Sequence, residues 1–88
     1  AVVGDNLMKF ANDNKFEGII VNGYVRDTVT TKEFDIGLVA KGTCPRKYIP
    51  VQDGKINVPL VIDGIEINSG DYVYVDPDGI VICKEKLV

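Results

Sequence analysis

Residues 1–21 set three elements in a row with almost no connecting chain, and that order constrains the fold more than any other feature. Ala1-Val2-Val3 reads as the tail of a strand. Gly4-Asp5-Asn6 reads as a helix start with Asp5 as N-cap, because its carboxylate can accept from the exposed amides of the first turn. Leu7, Phe10 and Ala11 then fall on one helical face, and the polar run Asn12-Asp13-Asn14-Lys15 closes the helix. The apolar run 18–21 follows as a buried strand. A chain that crosses a helix between two strands returns in its original direction, so this order predicts a βαβ unit with parallel pairing.

The remainder changes character part-way. The run 18–21 ends at Asn22-Gly23, after which Tyr24-Val25 lead to an adjacent cation and anion, Arg26 and Asp27. A short helix is expected over 27–34 with Asp27 as its cap, although Thr28, Val29, Thr30 and Thr31 are poor helix formers. Residues 36–40 read as a further strand and 43–48, containing Pro45, as a loop. From Lys55 the apolar period becomes two: Ile56, Val58 and Leu60 alternate with polar positions or Pro59. Asp63-Gly64 marks a hairpin continued by Ile65 and Ile67, and Ser69-Gly70-Asp71 a turn. Residues 72–75 and 80–83 make a second hairpin about Asp76-Pro77-Asp78-Gly79. The expected fold is therefore α/β: one βαβ unit followed by antiparallel β hairpins in a meander, a mixed sheet, within a single domain over 1–88.

Composition excludes more than it assigns. The chain has no histidine, which removes Ser-His-Asp and Cys-His catalysis, phosphohistidine carriage and His-ligated zinc. Any chemistry must run on carboxylates, Arg, Lys, Tyr, backbone amides or a bound hard metal. Ten basic against thirteen acidic residues give a net charge of −3 with no basic block, which speaks against a direct nucleic-acid surface. No run is long enough to cross a bilayer. Cys44 and Cys83 are too few and too far apart for a zinc knuckle or redox CxxC pair, and read as reduced thiols of a cytoplasmic protein. The opening without a Met or polar lead-in suggests the later part of a longer domain.

An ordered set of segments resembles the RraA family, which includes the regulator of ribonuclease activity A and the 4-hydroxy-4-methyl-2-oxoglutarate aldolases. The matching pieces are Gly4-Asp5-Asn6-Leu7, the strand with Asn22-Gly23-Tyr24-Val25-Arg26-Asp27, the run 35–47, Ile56-Asn57-Val58-Pro59-Leu60, and the run 69–80. Together they span nearly the whole chain. The resemblance implies a swivelling β/β/α domain lacking its N-terminal portion here, a homotrimer, and sites between subunits.

The same residues carry the candidate chemistry. A helix N-terminus such as Gly4-Asp5-Asn6-Leu7 offers unpaired amides and the positive end of the dipole, and Gly4 permits close backbone approach. By resemblance this turn holds a substrate carboxylate; the plain alternative is an ordinary helix cap. Arg26 can grip a carboxylate or 2-oxo acid with two parallel hydrogen bonds, or form a structural ion pair with Asp27 or Glu33. Asp27 suits Mg²⁺ or Mn²⁺, which keep several waters and take few protein ligands, and by resemblance it is the metal ligand; alternatively it caps the helix that follows. On this reading Arg26 and Asp27 are the catalytic pair of a divalent-metal-dependent carbon–carbon lyase acting on pyruvoyl compounds, by aldol cleavage or oxaloacetate decarboxylation. The aldolases tend to carry an acid three positions past the aspartate, where this chain has Thr30, with Glu33 three positions further on. The ribonuclease regulators also lack that acid and act by binding RNase E, which leaves a non-catalytic regulator as the alternative.

Overall fold

The computed structural model describes residues 1–51 and 53–88, which divide into two compact units, 1–51 and 52–88. In the first unit Val3 forms a parallel bridge to Val25, and helix α1, Asp5–Asp13, follows at once. Strands β1, Gly18–Ile20, and β2, Tyr24–Val25, come next; a four-residue helix α2, Thr28–Thr31, leads to β3, Gly37–Val39, and β4, Gly42–Thr43. β1 pairs in parallel with β3, Gly18 facing Gly37, and β2 pairs in parallel with β4, Tyr24 facing Gly42. Parallel pairing is present in this unit, but not between the two segments expected to make it. Val3 joins β2 rather than β1, so β2 lies between Val3 and β4.

The core of this unit is small. Val3, Met8 and Val25 are buried, with Ile19, Val21, Phe34, Ile36, Leu38 and Ala40 packed around them. On α1 the buried residues are Met8 and Ala11, while Leu7 and Phe10 are exposed, which corrects the predicted face of Leu7, Phe10 and Ala11. All four are apolar, so the sequence allows two overlapping stripes; the immediate entry from Val3 into the helix sets Met8 against Val3 and Val25. In the run 18–21, Gly18 is exposed and the other three residues are half-buried rather than buried. Strand alternation turns Ile19 and Val21 toward the cluster and sends Ile20 the other way.

In the second unit, β5, Leu60–Ile62, and β6, Ile65–Ile67, form one hairpin, and β7, Tyr72–Asp76, and β8, Gly79–Cys83, another. The first turns on Asp63 and Gly64, whose φ values of 51° and 80° match the right-handed strand twist. In the second, Asp76 Oδ1 accepts from the amides of Asp78 at 2.8 Å and Gly79 at 3.1 Å, so this acidic loop is a self-bonded turn. The hairpins form separate two-stranded ladders, not the continuous meander and mixed sheet expected. Between them the Asn68–Asp71 turn, with Gly70 at φ 93°, redirects the chain. The expected extension of the strand through Ile56 and Val58 is absent, because Asn57 takes a left-handed φ of 59° and Pro59 has no amide to donate. Asp71 accepts from the Asn68 amide at 2.8 Å and from Lys84 Nζ at 2.9 and 3.1 Å. The amide first, and the ammonium second, hold its carboxyl below the usual carboxylate range. Cys44 and Cys83 are both free thiols. Among the described residues no helix is long and apolar enough to cross a membrane.

Candidate functional site

Three parallel segments end side by side in the first unit. Arg26 N donates to the Val3 carbonyl at 3.0 Å, and Cys44 N to the Val25 carbonyl at 2.9 Å. The residues just past each strand end, Gly4-Asp5, Arg26-Asp27 and Cys44-Pro45, are thereby brought to one edge. The carboxyl ends of parallel strands are where open α/β sheets place their ligands.

Asp27 organises this edge. Its backbone is left-handed, φ 60° and ψ 37°, a conformation that Asp tolerates better than most residues. Its carbonyl accepts from Thr30 N at 3.0 Å and Thr31 N at 2.8 Å and so starts α2, but its side chain makes no capping bond there. The carboxylate turns back across the chain instead, and Oδ2 accepts from the Asp5 amide at 3.2 Å. Asp27 is thus the N-cap of α2 by position and a cap of α1 by chemistry, supplied from 22 residues away. This corrects the reading of Asp5 as N-cap. Gly4 occupies that position, and Asp5, the first helical residue, accepts from the Asn6 amide at 2.8 Å. Two amides of the predicted carboxylate seat are therefore already engaged. The Leu7 amide has no acceptor among the described residues.

Arg26 lies beside this carboxylate, with Nε 3.8 Å from Asp27 Oδ2 and both side chains 38% exposed. At that distance the pair is loose, and the guanidinium keeps donors for a ligand. Nη1 reaches the Pro45 carbonyl at 3.5 Å, long for a hydrogen bond, which still sets the direction of the fork. Sequence reasoning missed Pro45 as a neighbour of Arg26, because the two-residue strand Gly42–Thr43 carries no periodic signal that would pair it with Tyr24–Val25. No ion pair joins Arg26 to Glu33 among the described residues. Gly4 packs closest of all: a Cβ there would stand 2.8 Å from Asp27 Oδ2 and 3.3 Å from Arg26 Nε.

The structure thus brings Gly4, Asp5, Arg26 and Asp27 together, with Asn6 and Leu7 on the adjoining helical turn. They form an open rim. A hollow of about 470 Å³ in this unit is lined by Val25, Thr28, Thr31, Phe34, Leu38 and Thr43, and none of the rim side chains lines it. For a cation, the fit is that of a hard, sparsely ligated ion. Among the described residues no three His, Cys, Asp or Glu side chains converge, which disfavours a protein-enclosed zinc or calcium cage. Asp27 has one oxygen on the Asp5 amide, while Oδ1 has no partner among the described residues. A single carboxylate oxygen without a protein partner is the kind of ligand that Mg²⁺ or Mn²⁺ takes when water and substrate supply the rest.

Residues 1–82 match the family model described as RraA-like, Aldolase/RraA. The chain belongs to the RraA-like family. A Bacillus cereus protein provisionally named 4-hydroxy-4-methyl-2-oxoglutarate aldolase is 45% identical over 87 residues, which are 99% of this chain and 55% of that protein. An Arabidopsis thaliana relative with the same provisional name, numbered 3, is 42% identical over 99% of this chain and 52% of its own length. Among solved structures, the RNA-processing inhibitor RraA from Thermus thermophilis superposes with a TM-score of 0.86 at 35% identity, covering 93% of this chain and 50% of that one. The RraA-like chain spans about half the length of the relatives it matches.

Proposed function

We propose that this RraA-like chain carries the cation-and-anion rim of a divalent-metal-dependent carbon–carbon lyase site for small 2-oxo acids. The observation that supports it is the convergence of Arg26, Asp27 and the start of α1, with Asp27 Oδ2 at 3.2 Å from the Asp5 amide and 3.8 Å from Arg26 Nε. Asp27 Oδ1 would hold Mg²⁺ or Mn²⁺, and such an ion, when bound, supplies Lewis-acid polarisation of a 2-oxo acid. Arg26 would grip the substrate carboxylate through its outward donors and fix the angle of the bond that breaks. The Leu7 amide and the dipole of α1 would offset negative charge that develops as the bond breaks. Substrates of the 4-hydroxy-4-methyl-2-oxoglutarate or oxaloacetate type fit this arrangement. Oxaloacetate is the less demanding, since carbon dioxide leaves without a base to deprotonate a hydroxyl. In this reading residues 1–88 are the C-terminal part of one swivelling β/β/α domain, working in the cytoplasm as a homotrimer whose neighbouring subunits complete the site.

A second reading has its own support. Thr30 stands three residues beyond Asp27, exposed on α2, in place of the acid the aldolases tend to carry, and Glu33 is also exposed. The Thermus thermophilis structure is described as an RNA-processing inhibitor. A non-catalytic regulator binding RNase E needs only a surface. Oxaloacetate turnover with Mg²⁺, compared between the native protein and Asp27→Ala, separates the two. Turnover that disappears with Asp27 supports the lyase; equal rates in both remove Asp27 from catalysis; no turnover of oxaloacetate or aldol substrates together with tight RNase E binding favours the regulator.

A further inference from the structure

We infer that Gly4 is the positioning residue of the site: the space left by its missing side chain is what allows the Asp27 carboxylate to dock on α1 through one oxygen and leave the other without a protein partner. The inference rests on the proposed metal role of Asp27 and adds the residue that sets its geometry. Gly4 has φ −130° and ψ −165°, an extended conformation open to any residue, so backbone strain does not require glycine here. Nor is this position needed as a side-chain cap, since α1 has none at Gly4. What requires glycine is contact. A Cβ would lie 2.8 Å from Asp27 Oδ2, closer than carbon and oxygen can approach without bonding, and 3.3 Å from Arg26 Nε. Asp27 Oδ2 is the far end of its side chain and Arg26 Nε lies part-way along a long flexible one; both side chains are 38% exposed and can shift into solvent. An added methyl is therefore accommodated without unfolding, by displacing the carboxylate from the Asp5 amide and widening its separation from Arg26.

The consequence reaches both oxygens. While Oδ2 is anchored to the Asp5 amide, the rotation of the carboxylate is fixed and Oδ1 faces one direction. Released, Asp27 samples several rotamers, and a cation must pay the ordering cost that the native site has already met. Arg26, pushed at Nε, also loses its alignment to the Pro45 carbonyl.

The test is Gly4→Ala in the full protein, read in two independent ways. In the metal-free state, the Asp5 amide proton resonance should move upfield as its carboxylate acceptor leaves, while the unfolding midpoint stays close to native. Mn²⁺ binding followed by electron paramagnetic resonance should weaken about tenfold, the size typical of removing an outer support of a metal ligand. In an Asp27→Ala background, adding Gly4→Ala should change neither reading further, because its effect acts through Asp27. A native-like Asp5 amide and Mn²⁺ affinity in Gly4→Ala would overturn the inference, as would an undiminished Asp5 shift when Asp27 is already absent. Should the native protein fail to bind Mn²⁺, the lyase reading falls while the amide arm still decides the role of Gly4.

Discussion

Replacing Asp27 tests the cap that its carboxylate supplies to α1 and the cation-binding role proposed for it, and three substitutions separate the two. Asp27→Ala removes the acceptor for the Asp5 amide, a cap whose loss typically costs about 0.5–2 kcal/mol. The carboxylate is 38% exposed, so water can rehydrate the orphaned amide, and the lower half of that range, about 0.5–1 kcal/mol, is appropriate. Ala must also hold the left-handed backbone at φ 60°, which Asp adopts more readily, adding roughly 0.5–1 kcal/mol. The total is about 1–2 kcal/mol, or a drop of roughly 1–2 M in the urea midpoint for an m-value near 1 kcal/mol/M. Asp27→Gly relieves the backbone but not the lost acceptor and should fall between Ala and native. Asp27→Asn keeps an oxygen acceptor and tolerates the same backbone, so its stability should lie within about 0.5 kcal/mol of native. Its loss should appear only in cation binding. Urea unfolding followed by circular dichroism provides the assay. An Asp27→Ala protein as stable as native, or an Asp27→Asn protein as unstable as Asp27→Ala, would refute the assignment of Asp27 as the cap of α1.

Arg26→Lys keeps the charge but replaces a planar fork with a point donor; binding of a 2-oxo acid, measured calorimetrically with Mg²⁺ present, should weaken about tenfold with little change in stability. Asp71 titrates lower when folded than the roughly 3.9 of an unfolded chain, so its contribution is full above that pH and is lost as pH falls through the folded value. Acid unfolding of Lys84→Met should therefore begin at a higher pH than that of the native protein; coincident curves would remove Lys84 from the pairing. Gly64→Val should destabilise the first hairpin by more than about 1 kcal/mol, because φ 80° excludes a β-branched residue, and urea unfolding reads this directly.

Features fixed by local chemistry were legible in the sequence. Asp63-Gly64 and Asp76-Pro77-Asp78-Gly79 form turns because their residues favour that backbone, and both hairpins appear where expected. Arg26 and Asp27 stood out as candidates because they follow an apolar strand and match a family pattern, and the structure places them beside the start of α1. What could not be read was decided at a distance. Oδ2 of Asp27 caps a helix that begins 22 residues earlier, and no local rule assigns a cap across two elements. Gly42–Thr43 is too short for a periodic signal, so its pairing with Tyr24–Val25, and the approach of Pro45 to Arg26, followed only from tertiary contact. The choice of Met8 over Leu7 and Phe10 as the inward residue likewise depended on Val3 and Val25 rather than on the helix itself.

In the proposed site, Arg26, Asp27 and the start of α1 act together on one anionic ligand and one cation. Oxalate mimics the paired oxygens of a 2-oxo acid, and calorimetric titration of oxalate into the full protein with and without Mg²⁺ measures that joint action directly. Oxalate binding should require Mg²⁺ in the native protein and weaken at least about tenfold in the stably folded Asp27→Asn variant. Oxalate binding that is indifferent to Mg²⁺, or equal in the two proteins, would contradict the proposed site.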